Sequence, residues 1–207
     1  MKRPALLIIL CFSFPFIQAQ TTVEYFNRAH AKDSINDYSG AVSDCNKAIK
    51  LNPDDEKAYG ERGKAKLHQS DWTGAISDLS KAIELNPKDE NIYSFRGLAK
   101  DALKDYTGAK TDLNKAIELN PKDAMAYFNR SFVMDETSDY SNEILDFDKV
   151  IRLDSLNKFG MNKYAYYLRG NAKHKLGNNE AACSDWNKAG ELGESNAYAN
   201  IILYCKN

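Results

Sequence analysis

The chain has 207 residues, 43% of them hydrophobic and 28% charged, with 28 Lys and Arg against 29 Asp and Glu. That length allows one extended domain or one to two compact ones. Nothing in the balanced charge suggests a phosphate-gripping surface for nucleic acid, which needs a clear basic excess.

Residues 1–19 have the layout of a signal peptide. Lys2 and Arg3 precede an almost wholly apolar run from Ala5 to Ile17, and Ala19 offers a cleavage site before Gln20. Ile17 stands where a small residue is usual, so the position of the cut stays open. The run of about 13 residues, with Pro4 before it and Pro15 inside it, is short of the roughly 20 that span a bilayer. No stable membrane insertion of the mature chain is therefore expected. Cys11 lacks the preceding small residues of a lipidated cysteine. The expected location is exported, either periplasmic or secreted. Cys45, Cys183 and Cys205 remain after cleavage. An oxidising compartment permits a disulfide, and three cysteines leave at least one unpaired within the chain.

From Thr22 the chain repeats itself. Pro53, Pro87 and Pro121 step by 34 residues. Arg62, Gly63, Trp72, Ala75, Asp78, Ala82 and Leu85 return as Arg96, Gly97, Tyr106, Ala109, Asp112, Ala116 and Leu119. Apolar residues recur at helical spacing and no run alternates as a strand would. In the first repeat, about 22–55, Asp37-Tyr38-Ser39 is read as the turn and Ala41–Leu51 as the second helix, ended by Pro53. Asp55, Asp89 and Asp123 stand where the next helices begin and suit their unpaired N–H groups. The second and third repeats, about 56–89 and 90–123, are the most regular. Small residues at Gly63/Gly97 and Ala65/Ala99 face Ala75/Ala109 and Ala82/Ala116, which lets the two helices pack closely.

These landmarks resemble the tetratricopeptide repeat, a helix–turn–helix unit of the same 34-residue period. The resemblance covers Thr22 to about Glu194. It implies an all-α, right-handed α-solenoid of five helix–turn–helix repeats plus a C-terminal capping helix, filling 20–207. It implies only a class of function, since such folds carry many.

The fourth repeat, about 124–157, departs from the pattern. Ser131 replaces the Gly, Glu143 stands where the others carry Ala41, Ala75, Ala109 and Ala182, and Val150 and Ser155 replace the later Ala and the Pro. An insertion at about Lys158–Asn162 follows. Two readings stand, drift in a tolerant repeat and a functional kink. The fifth repeat, about 163–194, regains the landmarks Arg169, Gly170, Ala182 and Asp185. A short helix at about 195–205 is expected to cover the end, because each repeat buries its face only against neighbours.

Two charged columns run through the repeats: Arg62, Arg96 and Arg130 with Arg28 and Arg169, and Asp78, Asp112 and Asp146 with Asp44 and Asp185. A charge needed in every copy is read as pairing helices, since guanidinium suits bidentate carboxylate contact. The turn aromatics Tyr38, Trp72, Tyr106 and Tyr140 and the first-helix tyrosines are read as packing. Helices 179–191 and 195–205, running antiparallel about Gly193-Glu194, bring Cys183 and Cys205 together, and a disulfide there would pin the cap. Cys45 is read as a buried small hydrophobe.

By the resemblance, the first helix of each repeat lines a concave groove that holds partner segments. Its candidate binding residues are Met125, Phe128, Phe132, Tyr164 and Tyr167 as apolar anchors, with Lys57, Lys64 and Asp101 orienting the partner. Exposed together, the five apolar residues form an interaction patch. Alternatively, some of them fill the irregular junction after the fourth repeat. The family's carboxylate-clamp set of Lys, Asn and Arg is not reproduced.

No catalytic, metal or cofactor signal is present. His30, His68 and His174 are scattered, and Gly60–Lys64 is too short for a phosphate loop. The expected function is a non-enzymatic scaffold for a protein or peptide partner, with no cofactor and no nucleic acid. The rivals are an assembly component that uses the convex face or the array ends, and a binder of an envelope polymer such as peptidoglycan.

Overall fold

The computed structural model describes residues 10–154 and 160–205, with side chains from Thr21 onward. The leader expected over 1–19 therefore lies largely outside the described residues, as do Ser155 and the start of the insertion. Eleven helices follow in the described chain: α1 Leu10–Ser34, α2 Tyr38–Leu51, α3 Glu56–His68, α4 Trp72–Leu85, α5 Glu90–Ala102, α6 Tyr106–Leu119, α7 Ala124–Glu136, α8 Tyr140–Leu153, α9 Asn162–Lys175, α10 Asn179–Glu191 and α11 Asn196–Tyr204. They form five helix pairs and a final helix, with no strand among the described residues. α1 begins at Leu10, well before the repeat boundary expected at Thr22. No described helix is long and apolar enough to cross a membrane. The chain packs as two compact units, Met1–Ala99 and Lys100–Asn207.

The turn within each repeat lies earlier than Asp37-Tyr38-Ser39. Asn36, Ser70, Lys104 and Ser138 adopt φ of 58–64° and Gly177 a φ of 82°, the left-handed conformation that ends a helix. The next residue is already the N-cap: Asp37, Asp71 and Asp105 accept from the backbone N–H of Gly40, Gly74 and Gly108 at 2.9–3.0 Å. A Cβ on any of these glycines would lie 2.1 Å from the capping carboxylate. Where Asn142 takes that position, Asp139 instead accepts from the Asn142 side chain. Asp55, Asp89 and Asp123 cap the following first helices as the sequence implied.

Small residues set the helix spacing inside each pair. A Cβ at Gly63 would meet Leu79 at 2.7 Å, and one at Gly170 would meet Trp186 at the same distance. Ala41, Ala75, Ala109 and Ala182 are fully buried. Cys45 is buried with them, and burial pushes its thiol pKa up to about 12, which keeps it unreactive.

The charged columns join helices. Arg62 donates from Nε and Nη2 to Asp78 at 2.8 and 2.5 Å, and its Nη1 reaches back to Asn46 Oδ1 of the preceding repeat at 2.6 Å. Arg130 repeats this with Asp146 and Asn114, and Arg169 with Asp185 and Asp148. Each of these arginines thus ties its own pair to the second helix before it. The guanidinium also lies over a tyrosine one turn earlier, 5.2–5.6 Å from the ring centroids of Tyr59, Tyr127 and Tyr166. A lysine column shares the buried aspartates: Lys32, Lys66, Lys100 and Lys173 reach Asp44, Asp78, Asp112 and Asp185 at 2.7–2.8 Å. The fourth repeat has Met134 there instead. The consequence is electrostatic. Burial opposes the charge of Asp44, yet bonds from Lys32 and Lys47 and the charge of Arg28 hold its pKa below the ordinary value. At Asp146 burial prevails over Arg130 and the pKa rises.

Candidate functional site

First-helix side chains were the expected binding surface, and each unit presents a different one. In the N-terminal unit, α1, α3 and α5 frame a pocket of about 470 Å³. Phe26, Ile92 and Phe95 supply its apolar wall, and Glu61 and Lys64 its buried polar side. Lys57 and Asn91 stand at its exposed rim. Gly60 makes room: a Cβ there would sit 2.7 Å from Ile92 Cδ1.

The polar residues of this pocket are largely occupied with one another. Lys64 Nζ lies 2.8 Å from Asp33 and 3.5 Å from Glu61. Burial disfavours its charge, but the bond to Asp33 and the charge of Glu61 prevail and raise its pKa. His30, stacked beside Phe26, comes within 3.3 Å of Glu61. Lys64 is thus a half-buried element of the pocket wall, whereas Lys57 is exposed at the rim.

In the C-terminal unit the same face is aromatic. Met125, Phe132 and Tyr164 are 43–49% exposed. Met125, Phe128 and Phe132 follow one another at spacings of three and four along α7, so they form one stripe. Phe128 is half-buried, edge-on to both Phe132 and Phe147 at 5.1 and 6.0 Å, and packs on the core of Tyr127, Phe147, Val150 and Ala165. Tyr167 is half-buried against Trp186 and Ala182. Of the five expected anchors, Phe128 and Tyr167 are thus partly taken up by packing. The freer surface belongs to Met125, Phe132 and Tyr164. Asp135 pairs with Lys175 across α7 and α9. Asp101 is half-buried, and burial with the charge of Glu136 raises its pKa.

Lys57 and Lys64 were selected from their columns, but the pocket around them was not foreseen. Its signal was Gly60, the one residue without a side chain among Phe26, Ser94, Phe128 and Tyr167 in the same column. Ile92, Phe95 and Glu61 were not among the candidate binding residues, and only the folded packing brings them in. Cys183 and Cys205 are bonded, with their Cα atoms 5.7 Å apart. Among the described residues no His, Cys, Asp and Glu cluster is arranged to hold a metal ion.

Two models of the tetratricopeptide repeat match the sequence, at residues 26–90 and 90–123. No curated protein sequence matches. Among solved structures, the MamA protein is 25% identical, with a TM-score of 0.73 over 87% of this chain and 96% of that one. MamA from Desulfovibrio magneticus RS-1 is 18% identical with a TM-score of 0.75, covering 84% and 96%. YrrB, described as a TPR protein with an unusual peptide-binding site, is 20% identical with a TM-score of 0.73, covering 93% and 98%. The last two likenesses concern the fold alone.

Proposed function

We propose that the chain, which matches the tetratricopeptide repeat over residues 26–123, is a non-enzymatic scaffold whose first-helix faces bind a segment of a partner protein. Repeats of this family generally mediate protein–protein contacts, which is the coarse ground for the reading. The observation that carries the finer one is the pocket of about 470 Å³ framed by α1, α3 and α5. Such a volume accepts one large apolar side chain, with Lys57 and Asn91 at the rim to fix the approaching backbone. The stripe of Met125 and Phe132 with Tyr164 offers a second contact of apolar character.

Export remains part of the proposal. The leader-like residues 1–19 support it, and so does the Cys183–Cys205 bridge, since such bonds persist in oxidising compartments.

The test is capture from envelope extract with the chain starting at Gln20. The parent is compared with Phe26→Ala/Lys57→Glu and with Met125→Ala/Phe132→Ala, matched for helical circular dichroism. A protein captured by the parent and lost by a folded double variant supports the groove. Capture unchanged by both variants moves the function to the convex face or the array ends. Sedimentation with peptidoglycan in the absence of any protein partner would favour polymer binding instead.

A further inference from the structure

α11 is built as a first helix. Its Ala197-Tyr198 repeats Ala58-Tyr59, Ala126-Tyr127 and Ala165-Tyr166, and Ala197 is fully buried as those alanines are. One side of α11 is fastened. Ala197, Ile201 and Cys205 pack on Ala182, Trp186 and Ala189 of α10, and the disulfide closes the far end. The other side carries Ile202 and Leu203, 58% and 69% exposed, with Tyr198 at its edge, 55% exposed and leaning back on Gly190 of α10.

Register says what that outer side is. Four residues after Tyr59 stands Gly63, and four after Tyr166 stands Gly170. Four after Tyr198 stands Ile202. Leu79 and Trp186 of the paired second helices fill the space at those two glycines, 2.7 Å from where a Cβ would be. An isoleucine at that position would collide with a side chain seated in the same way. The outer face of α11 is thus unsuited to the ordinary second helix of a repeat and suited to a different apolar occupant.

We propose that this occupant is a second copy of the chain, with α11 packed on α11 about a two-fold axis. From Ser195 to Cys205 no side chain is charged, in a chain that is 28% charged. A two-fold contact sets each residue near its own copy, so charge on the face would repel itself, and this face carries none. The surface is also fixed before contact. The disulfide holds the helix, and Tyr198 Oη donates to the Gly190 carbonyl at 3.2 Å, so little freedom is lost on pairing. Three side chains make a patch smaller than the roughly 800 Å² per partner of a standard interface, so the dimer is weak, with a dissociation constant on the order of 10–100 µM. The inference is independent of the groove.

Sedimentation velocity over a concentration series up to about 1 mM, some tenfold above that range, tests it. The samples are the oxidised parent, Ile202→Glu, Ile202→Lys and an equimolar mixture of the two variants. Leu203→Glu serves as a second, more exposed site, and circular dichroism confirms folding. The parent should dimerise, and each single variant should associate at least about tenfold more weakly. The mixture should regain association, because a two-fold axis sets Glu opposite Lys. A parent that stays monomeric overturns the proposal, as does a dimer undiminished in the variants. Failure of the mixture to recover association refutes the α11-to-α11 geometry. A monomeric parent that captures an envelope protein through Ile202 would assign the face to a different partner.

Discussion

Replacing Glu143 by Gln should remove a pH dependence built into the fourth repeat. Glu143 occupies a position where four other repeats bury an alanine, is 4% exposed, and has no hydrogen-bond partner for Oε2. Burial, reinforced by the charge of Asp135 from α7 and only partly offset by Lys175 from α9, raises its pKa from 4.5 to about 8. The sign follows from linkage. The folded group binds its proton more tightly than the unfolded one, so its contribution is fully present below pH 4.5 and is lost as pH rises through about 8. At roughly 1.4 kcal/mol per pKa unit, the loss is on the order of 3–5 kcal/mol. Glutamine keeps the shape and cannot ionise. Urea unfolding followed by circular dichroism at pH 5, 7 and 9 should give similar stability for parent and variant at pH 5. The variant should lead by a few kcal/mol at pH 9, well above the usual scatter of such extrapolations. Parallel curves across that range would refute the reasoning, as would a Glu143 carboxyl signal titrating near 4.5.

The charged ladder predicts unequal costs for equal deletions. Arg62→Ala leaves Asp78 with Lys66 and should cost about 1–2 kcal/mol, whereas Arg130→Ala leaves Asp146 buried with no lysine in its column and should cost about 3–5 kcal/mol. Denaturant midpoints of the two variants decide the order. Lys104→Gly relieves a left-handed residue with φ of 62° and should raise stability by about 0.5–1 kcal/mol in the same assay, net of the added freedom of the unfolded chain. Reducing Cys183–Cys205, which are 22 residues apart, should cost roughly 3 kcal/mol on the loop-entropy account. Protection of α11 amides in hydrogen exchange should fall first.

Much of the architecture was legible because the repeat states its own register. The prolines, the Gly/Ala columns and the Arg and Asp columns mark where helices start, stop and touch, and a 34-residue period aligns them without a structure. The cap also followed from geometry, since antiparallel helices let cysteines at similar distances from one turn approach each other, and Cys183 and Cys205 are bonded. The turn was displaced because Asp37 was read as a turn residue, when it is the cap of a helix that starts one residue later. The lysine column escaped notice because lysines are common on exposed faces, and only the distances to Asp78 and Asp185 give these a role. Site residues were less legible for a related reason. A first-helix column marks the side expected to face a partner, but how far each residue emerges depends on its neighbours. Phe128 packs edge-on against Phe147, which stands where the second and third repeats carry Leu79 and Leu113, while Phe132 one turn later stays out. The N-terminal pocket arises from the absence of a side chain at Gly60, which no list of bulky residues reveals.

Position-specific photo-cross-linking tests the scaffold account most directly. A photoreactive residue is placed at Lys57 or Met125 on the first-helix faces, and at Glu84 or Lys149 on exposed second-helix positions, and each chain is irradiated in envelope extract. The account predicts an adduct of one discrete protein from Lys57 and Met125 and none from Glu84 and Lys149. Adducts from the second-helix positions alone would contradict it and move the binding surface to the opposite face.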